Sequence, residues 1–217
     1  MNSLYRHPGL VAGAVVVVLA LPPLRVWLEG SMAGHMLVQI PLLAGAGVLG
    51  AFALPPRLKR RLDACNARGL PFTLLASLVS TYWMLPRALD AALTEPWMEV
   101  AKFVSLPLLV GLPLALSWRR LGTIGQGFVA ANFVSMVSVV GWLYIVAPAR
   151  VCNNYLVDQQ TVTGWLLVAV SGLLFLGWTA PAFIARERSG VTACVARPTG
   201  RATEKRSPWE AVAGRLR

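Results

Sequence analysis

The sequence predicts an all-α fold: a polytopic membrane helix bundle of about six transmembrane helices, with the N- and C-termini cytoplasmic. Three observations predict it: an apolar composition, six long apolar runs, and basic residues that alternate from one side of those runs to the other. Of 217 residues, 56% are hydrophobic and 13% charged, against about 25% charged in a soluble domain. A soluble core cannot absorb that much apolar surface. The net charge of +11 does not point to nucleic acid, because the basic residues lie between the apolar runs rather than on one water-facing surface.

The runs cover roughly 9–28, 32–54, 70–86, 98–118, 123–147 and 159–184. Each is read as spanning about 30 Å of hydrocarbon at about 1.5 Å per residue. The first is the weakest, since Pro22, Pro23 and Arg25 follow its unbroken part, Gly9 to Leu21. With no convincing small-residue cleavage site, it reads as an uncleaved anchor whose Arg25 snorkels outward. Residues 1–8 are then a cytoplasmic N-terminus, 9–185 the transmembrane domain and 186–217 a basic, disordered cytoplasmic tail, with Pro208 to Leu216 a short interfacial helix.

Orientation follows from the basic residues of the connections. Sixteen Lys and Arg fall on one side: Arg6, five from Arg57 to Arg68, Arg119 and Arg120, and eight from Arg186 to Arg217. Arg25, Arg87, Lys102 and Arg150 fall on the other. The side richer in positive charge is cytoplasmic. Its basic loop, Pro55 to Gly69, suits contact with anionic headgroups of the lipid bilayer.

On the opposite side, Pro86 to Pro96 reads as a short surface helix with Leu89, Ala92 and Leu93 on its apolar face. Tyr82, Trp83, Trp97, Trp142 and Tyr144 read as an interfacial aromatic belt. In the fifth run, Gly127, Ala131, Ser135 and Ser138 form a small-residue strip for helix packing, and Asn132 should face the bundle. Gly45, Gly47 and Gly50 match GxGxxG formally, but inside an apolar span that spacing means close packing, not pyrophosphate binding.

Two histidines, His7 and His35, exclude any site that needs several from one chain. Met32, His35, Met36 and Gln39 fall at i, i+3, i+4 and i+7 and form one stripe, which Gln39 turns toward protein. Imidazole and thioether suit copper, and Met84, Met98 and Cys152 lie at the same boundary. Met32, His35, Met36 and Cys152 are therefore candidate copper contacts; the alternative is ordinary packing. No intramolecular disulfide is expected of Cys65, Cys152 and Cys194.

Lys102 lies one turn inside the fourth span. It either pairs with Glu99 or snorkels, or it stands as a fixed positive charge near the His35 stripe. Asp158 is read as the cap of the last span, and Gln159 and Gln160 as polar groups for water, backbone or a partner. A solute transporter is disfavoured, because the deep polar positions are Asn132 and neutral Ser or Thr.

Taken together, GHMLVQIPLL at Gly34 to Leu43, WMLPRALDAAL at Trp83 to Leu93, the following PWMEVAKFVSLPLLVGLPLALSW, and DQQTVTGWL at Asp158 to Leu166 resemble the multi-spanning CtaG family of cytochrome c oxidase assembly factors. The resemblance covers about residues 31–184, in the family's order. It implies a non-enzymatic assembly factor in a bacterial plasma membrane, assisting copper delivery to the respiratory chain, with oxidase subunits or copper carriers as partners. In the family pattern His-Met is followed three residues on by a second His, and another His opens a later helix. Here His35 and Met36 match, Gln39 stands at the second His and Lys102 at the later one, while Asp158, Gln159 and Gln160 carry over intact. A metal-free scaffold or accessory subunit is the alternative.

Overall fold

The computed structural model describes residues 7–195, with side chains through residue 180. Ten α-helices follow one another: α1 (Pro8–Ala20), α2 (Pro22–Glu29), α3 (Ile40–Phe52), α4 (Pro56–Cys65), α5 (Leu70–Met84), α6 (Pro86–Thr94), α7 (Pro96–Ser105), α8 (Leu112–Trp118), α9 (Thr123–Val146) and α10 (Val157–Val195). The chain divides after Gly177 into two compact units. The second, from Trp178, is helical through Val195, beyond the expected boundary at residue 185. The proposed helix at Pro208 to Leu216 lies outside the described residues.

Among the described residues, four helical stretches are long and apolar enough to cross a membrane: Gly34–Phe52, Pro96–Trp118, Thr123–Val146 and Val157–Ala180. A fifth crossing exists if α1 and α2 count as one, although they bend by 69°. Leu21, extended at φ −61° and ψ 132°, makes that bend because Pro22 bars the residue before it from helical geometry. The first expected span, 9–28, is thus broken where its unbroken apolar part ends. At 15 residues, α5 is about 22 Å long, short of a perpendicular crossing.

The second and fourth expected spans are continuous helices interrupted by widened turns, at Gly34–Gln39 leading into α3 and at Leu106–Gly111 between α7 and α8. Pro41 and Pro113, each two residues past its widened turn, account for them: a proline in a helix lacks its N–H and clashes with the carbonyl four residues back, and an i→i+5 turn relieves the clash. These two helices cross backbone to backbone. A Cβ on Gly47 would lie 2.0 Å from the Pro107 carbonyl oxygen, and one on Gly111 1.9 Å from that of Ala44. Gly47 alone of the GxGxxG glycines makes a close approach, since Gly45 and Gly50 face open space.

α9 and α10 meet in the same way at Gly141 and Gly164, where an added Cβ would fall within 2.8 Å and 2.7 Å of the other's carbonyl oxygen. Ser138 and Ser171 bond across the same pair at 2.7 Å. The rest of the expected strip does not pack: Ala131, Asn132 and Ser135 are exposed. Asn132, though exposed, lines a narrow cleft against Ala76, Ser77 and Ser80 of α5, while the Gly141 crossing fixes which face of α9 meets α10.

The basic segment after α3 is a helix, α4, not a loop. It turns into α5 through Arg68 and Gly69, both with positive φ, 54° and 79°. α6 is the expected surface helix, with Ala88, Leu89 and Ala92 buried. The aromatic belt divides. Tyr82, Trp97 and Trp142 are exposed, whereas Trp83 and Tyr144 lie in the core, where Trp83 Nε1 donates to Ser105 Oγ at 2.8 Å.

Candidate functional site

The Met32, His35, Met36 and Gln39 stripe is buried in full, as its polar member required. Gln39 and His35 lie in the widened turn before α3, which aims both at α7, and there they meet Lys102. The Lys102 side chain is 0% exposed and does not snorkel. Nor does it pair with Glu99. Its Nζ donates to Glu29 Oε1 at 2.6 Å, to Gln39 Oε1 at 3.1 Å and to His35 Nε2 at 3.3 Å. Three donors meet three acceptors, so the ammonium is fully satisfied.

The remaining partners close the cluster. Gln39 Nε2 donates to Glu29 Oε1 at 3.1 Å. Tyr155 Oη donates to the Glu29 carbonyl at 2.9 Å and lies 3.1 Å from His35 Nδ1. Tyrosine has one hydroxyl proton, already given to Glu29, so the network assigns the proton of that second bond to His35 Nδ1. His35 is then neutral, and its one lone pair, on Nε2, accepts from Lys102. Arg25 completes the rim. It pairs with Glu99 through Nη1 and lies 3.9 Å from Glu29 through Nε, so it turns to the acidic pair instead of outward to headgroups.

The connection from α9 to α10 covers this cluster and is held from two sides. Asp90 of α6 accepts from the backbone N–H of Asn153 at 2.7 Å and of Asn154 at 3.3 Å. Gln160 accepts from the Val151 N–H at 2.9 Å and donates to the Tyr144 carbonyl at 3.3 Å. Between these anchors Cys152 and Tyr155 are buried. Burial, with the Asp90 charge second, pushes the Cys152 thiol up to about 11. Burial, followed by the Glu29 charge, also raises Tyr155, which keeps its hydroxyl a donor.

The expected site residues therefore separate. His35, Gln39 and Lys102 converge. Met32, Met36 and Cys152 are buried among the apolar side chains of the same core, and Cys152 Sγ lies 3.9 Å from Tyr144 Oη. Of the DQQ run, Gln160 is internal, Gln159 half-buried and Asp158 exposed. Asp158 is the second residue of α10 and, among the described residues, makes no side-chain hydrogen bond, so it meets the helix dipole without capping the helix.

Glu29 and Tyr155 were not foreseen. Glu29 carried a faint signal, being the chain's first acidic residue and set among apolar segments; Tyr155 carried none. A copper ion does not fit this donor set. The His35 lone pair is taken, and the group taking it is a cation that would repel another at that range. No family model, curated protein or solved structure matches the chain.

Proposed function

We propose that this chain is a multi-pass assembly factor for a respiratory oxidase in a bacterial plasma membrane, acting as a metal-free scaffold. It presents surfaces to oxidase subunits or to copper carriers and performs no catalysis. The resemblance of residues 31–184 supports the oxidase assignment. The observation that carries the metal-free form is the Lys102 ammonium, 3.3 Å from the His35 nitrogen that a metal would need. A site that elsewhere would hold a mobile cation holds a tethered one, and the cluster becomes a lock between α2, the turn before α3, α7 and the α9–α10 connection.

We further propose six crossings with both termini cytoplasmic, α5 being a short span met by local thinning of the bilayer. The alternation of basic connections supports this, because omitting α5 would place α4 and the Arg119–Arg120 turn on opposite sides. Scaffold action is also favoured by α9. Asn132 is exposed in the middle of an apolar helix, beside Ala131 and Ser135, and has no hydrogen-bond partner among the described residues. It lines a narrow cleft against Ser77 and Ser80 of α5, and a carboxamide left without a partner in an apolar surrounding is costly unless another helix satisfies it.

The test combines two measurements: copper stoichiometry of the purified, reduced protein, and oxidase assembly in cells lacking it. The expected outcome is no bound copper together with loss of assembled oxidase. Copper bound one to one and lost in His35→Ala would overturn the metal-free form. Undiminished oxidase in the deletion would overturn the assembly role.

A further inference from the structure

A second polar site lies at the far end of α3 and α8, away from the Lys102 cluster. There the ends of two candidate spans, at Ala51–Phe52 and Ala115–Arg120, form a cleft with α4, of about 250 Å3 and lined by Lys59, Asp63, Arg119 and Arg120. That volume is below the roughly 300–1,000 Å3 of sites for drug-sized ligands and suits a headgroup-sized moiety.

The four charges are not equivalent. Arg120 Nη2 pairs with Asp63 Oδ2 at 2.9 Å. Its Nη1 donates to the carbonyls of Asp63 at 3.0 Å and Asn66 at 3.4 Å. Asn66, fully buried, donates from Nδ2 to Ser117 Oγ at 3.1 Å and accepts from the Phe72 N–H at 3.4 Å. Arg120 and Asn66 therefore clamp the end of α4 onto the end of α8, and the wall of the cleft is fixed. The Asp63–Arg120 pair is neutral in sum. Lys59 and Arg119 have no acidic partner among the described residues, which leaves two unpaired cations lining one fixed cleft. Phe52, 73% exposed, lines the same cleft at its apolar edge.

We infer that this cleft binds the phosphate of an anionic glycerophospholipid, with Lys59 and Arg119 as its charged ligands and the acyl chains running beside Phe52. The location supports a lipid over a free phosphate: both spans end at the cleft, where headgroups lie. A basic pocket between span ends is suited to such headgroups. The site is more specific than the attraction of a basic helix for a charged surface, because Arg57, Arg60 and Arg61 lie on α4 as well but do not line it.

That difference supplies the test. The full-length protein is reconstituted in nanodiscs of phosphatidylglycerol and phosphatidylcholine, and retained lipid is read by native mass spectrometry. Phosphatidylglycerol should be retained preferentially. Lys59→Ala and Arg119→Ala should each weaken retention about fivefold, the effect of one basic side chain beside an anionic surface. Arg60→Ala and the charge-preserving Lys59→Arg should leave it unchanged. An equal loss from Arg60→Ala would mean diffuse attraction and overturn the site, as would retention without preference between the two lipids. Competition by inorganic phosphate at equal concentration, without any lipid preference, would overturn the headgroup assignment.

Discussion

Lys102 directs all three of its ammonium protons into the bundle, onto a carboxylate, a carboxamide and an imidazole. Removing one partner of such a buried pair leaves the other charge uncompensated, at a cost of about 3–5 kcal/mol. Lys102→Met and Glu29→Gln should each destabilise the protein by that order in detergent denaturation. The double variant should recover more than half of the summed loss, and strict additivity would refute the lock. Cys152 gives a second prediction. Folding raises its thiol from 9 to about 11, so the neutral form is the one favoured. The resulting stabilisation is complete below about pH 9 and is lost as pH rises through about 11. Iodoacetamide at pH 8 should therefore modify the exposed Cys65 at least about tenfold faster than Cys152. At this scale the sequence disclosed that His35 and Gln39 face protein, because a helical period places both on one stripe. It did not disclose Glu29 or Tyr155, which reach the same point from elements distant in the chain. It also misassigned the ion pairs of Arg25, Glu99 and Lys102, because spacing along a helix favours the i−3 neighbour while the fold supplies a closer acid.

Helix crossings decide the element scale. The α3 crossing with the turn after α7 requires hydrogen where a methyl group would meet backbone at 2.0 Å, and a backbone atom cannot move aside as a side-chain tip can. Gly47→Ala should lower stability by roughly 1–3 kcal/mol. Gly50→Ala, facing open space, should fall within about 0.5 kcal/mol of the parent. Equal effects in thermal melts would contradict the crossing. Small residues were legible as packing signals, but not which of them pack. Gly127, Ala131 and Ser135 satisfy the same spacing as a true contact face, yet Ala131 and Ser135 are exposed while Gly141 and Gly164 carry the contact. A small-residue strip says that approach is possible, and only the partner helix determines where it occurs. The widened turns were hidden too. Pro41 and Pro113 imply a broken i→i−4 bond, but whether a helix answers with a kink or an extra residue depends on what it packs against.

For the whole molecule, the proposed topology predicts that reporter fusions after Arg61 and Gly122 share the cytoplasmic compartment with the N-terminus, while one after Glu95 is exported. A reporter after Glu95 in the same compartment as one after Arg61 would show that α5 does not cross. The apolar runs, the all-helical class and the surface helix α6 could be read directly from the sequence, because hydrocarbon leaves backbone polar groups no partners but their own helix. Composition and period are local properties, and they determined the identity of this chain as a membrane helix bundle. The bend after Ala20 follows locally from Pro22, whereas the closing of the α9–α10 connection by Asp90 and Gln160 and the occupation of the His35 nitrogen by Lys102 were decided only in three dimensions. Each depends on charges or carbonyls brought together from separate helices, and the energy of a buried charge is set by what surrounds it rather than by what precedes it in the chain.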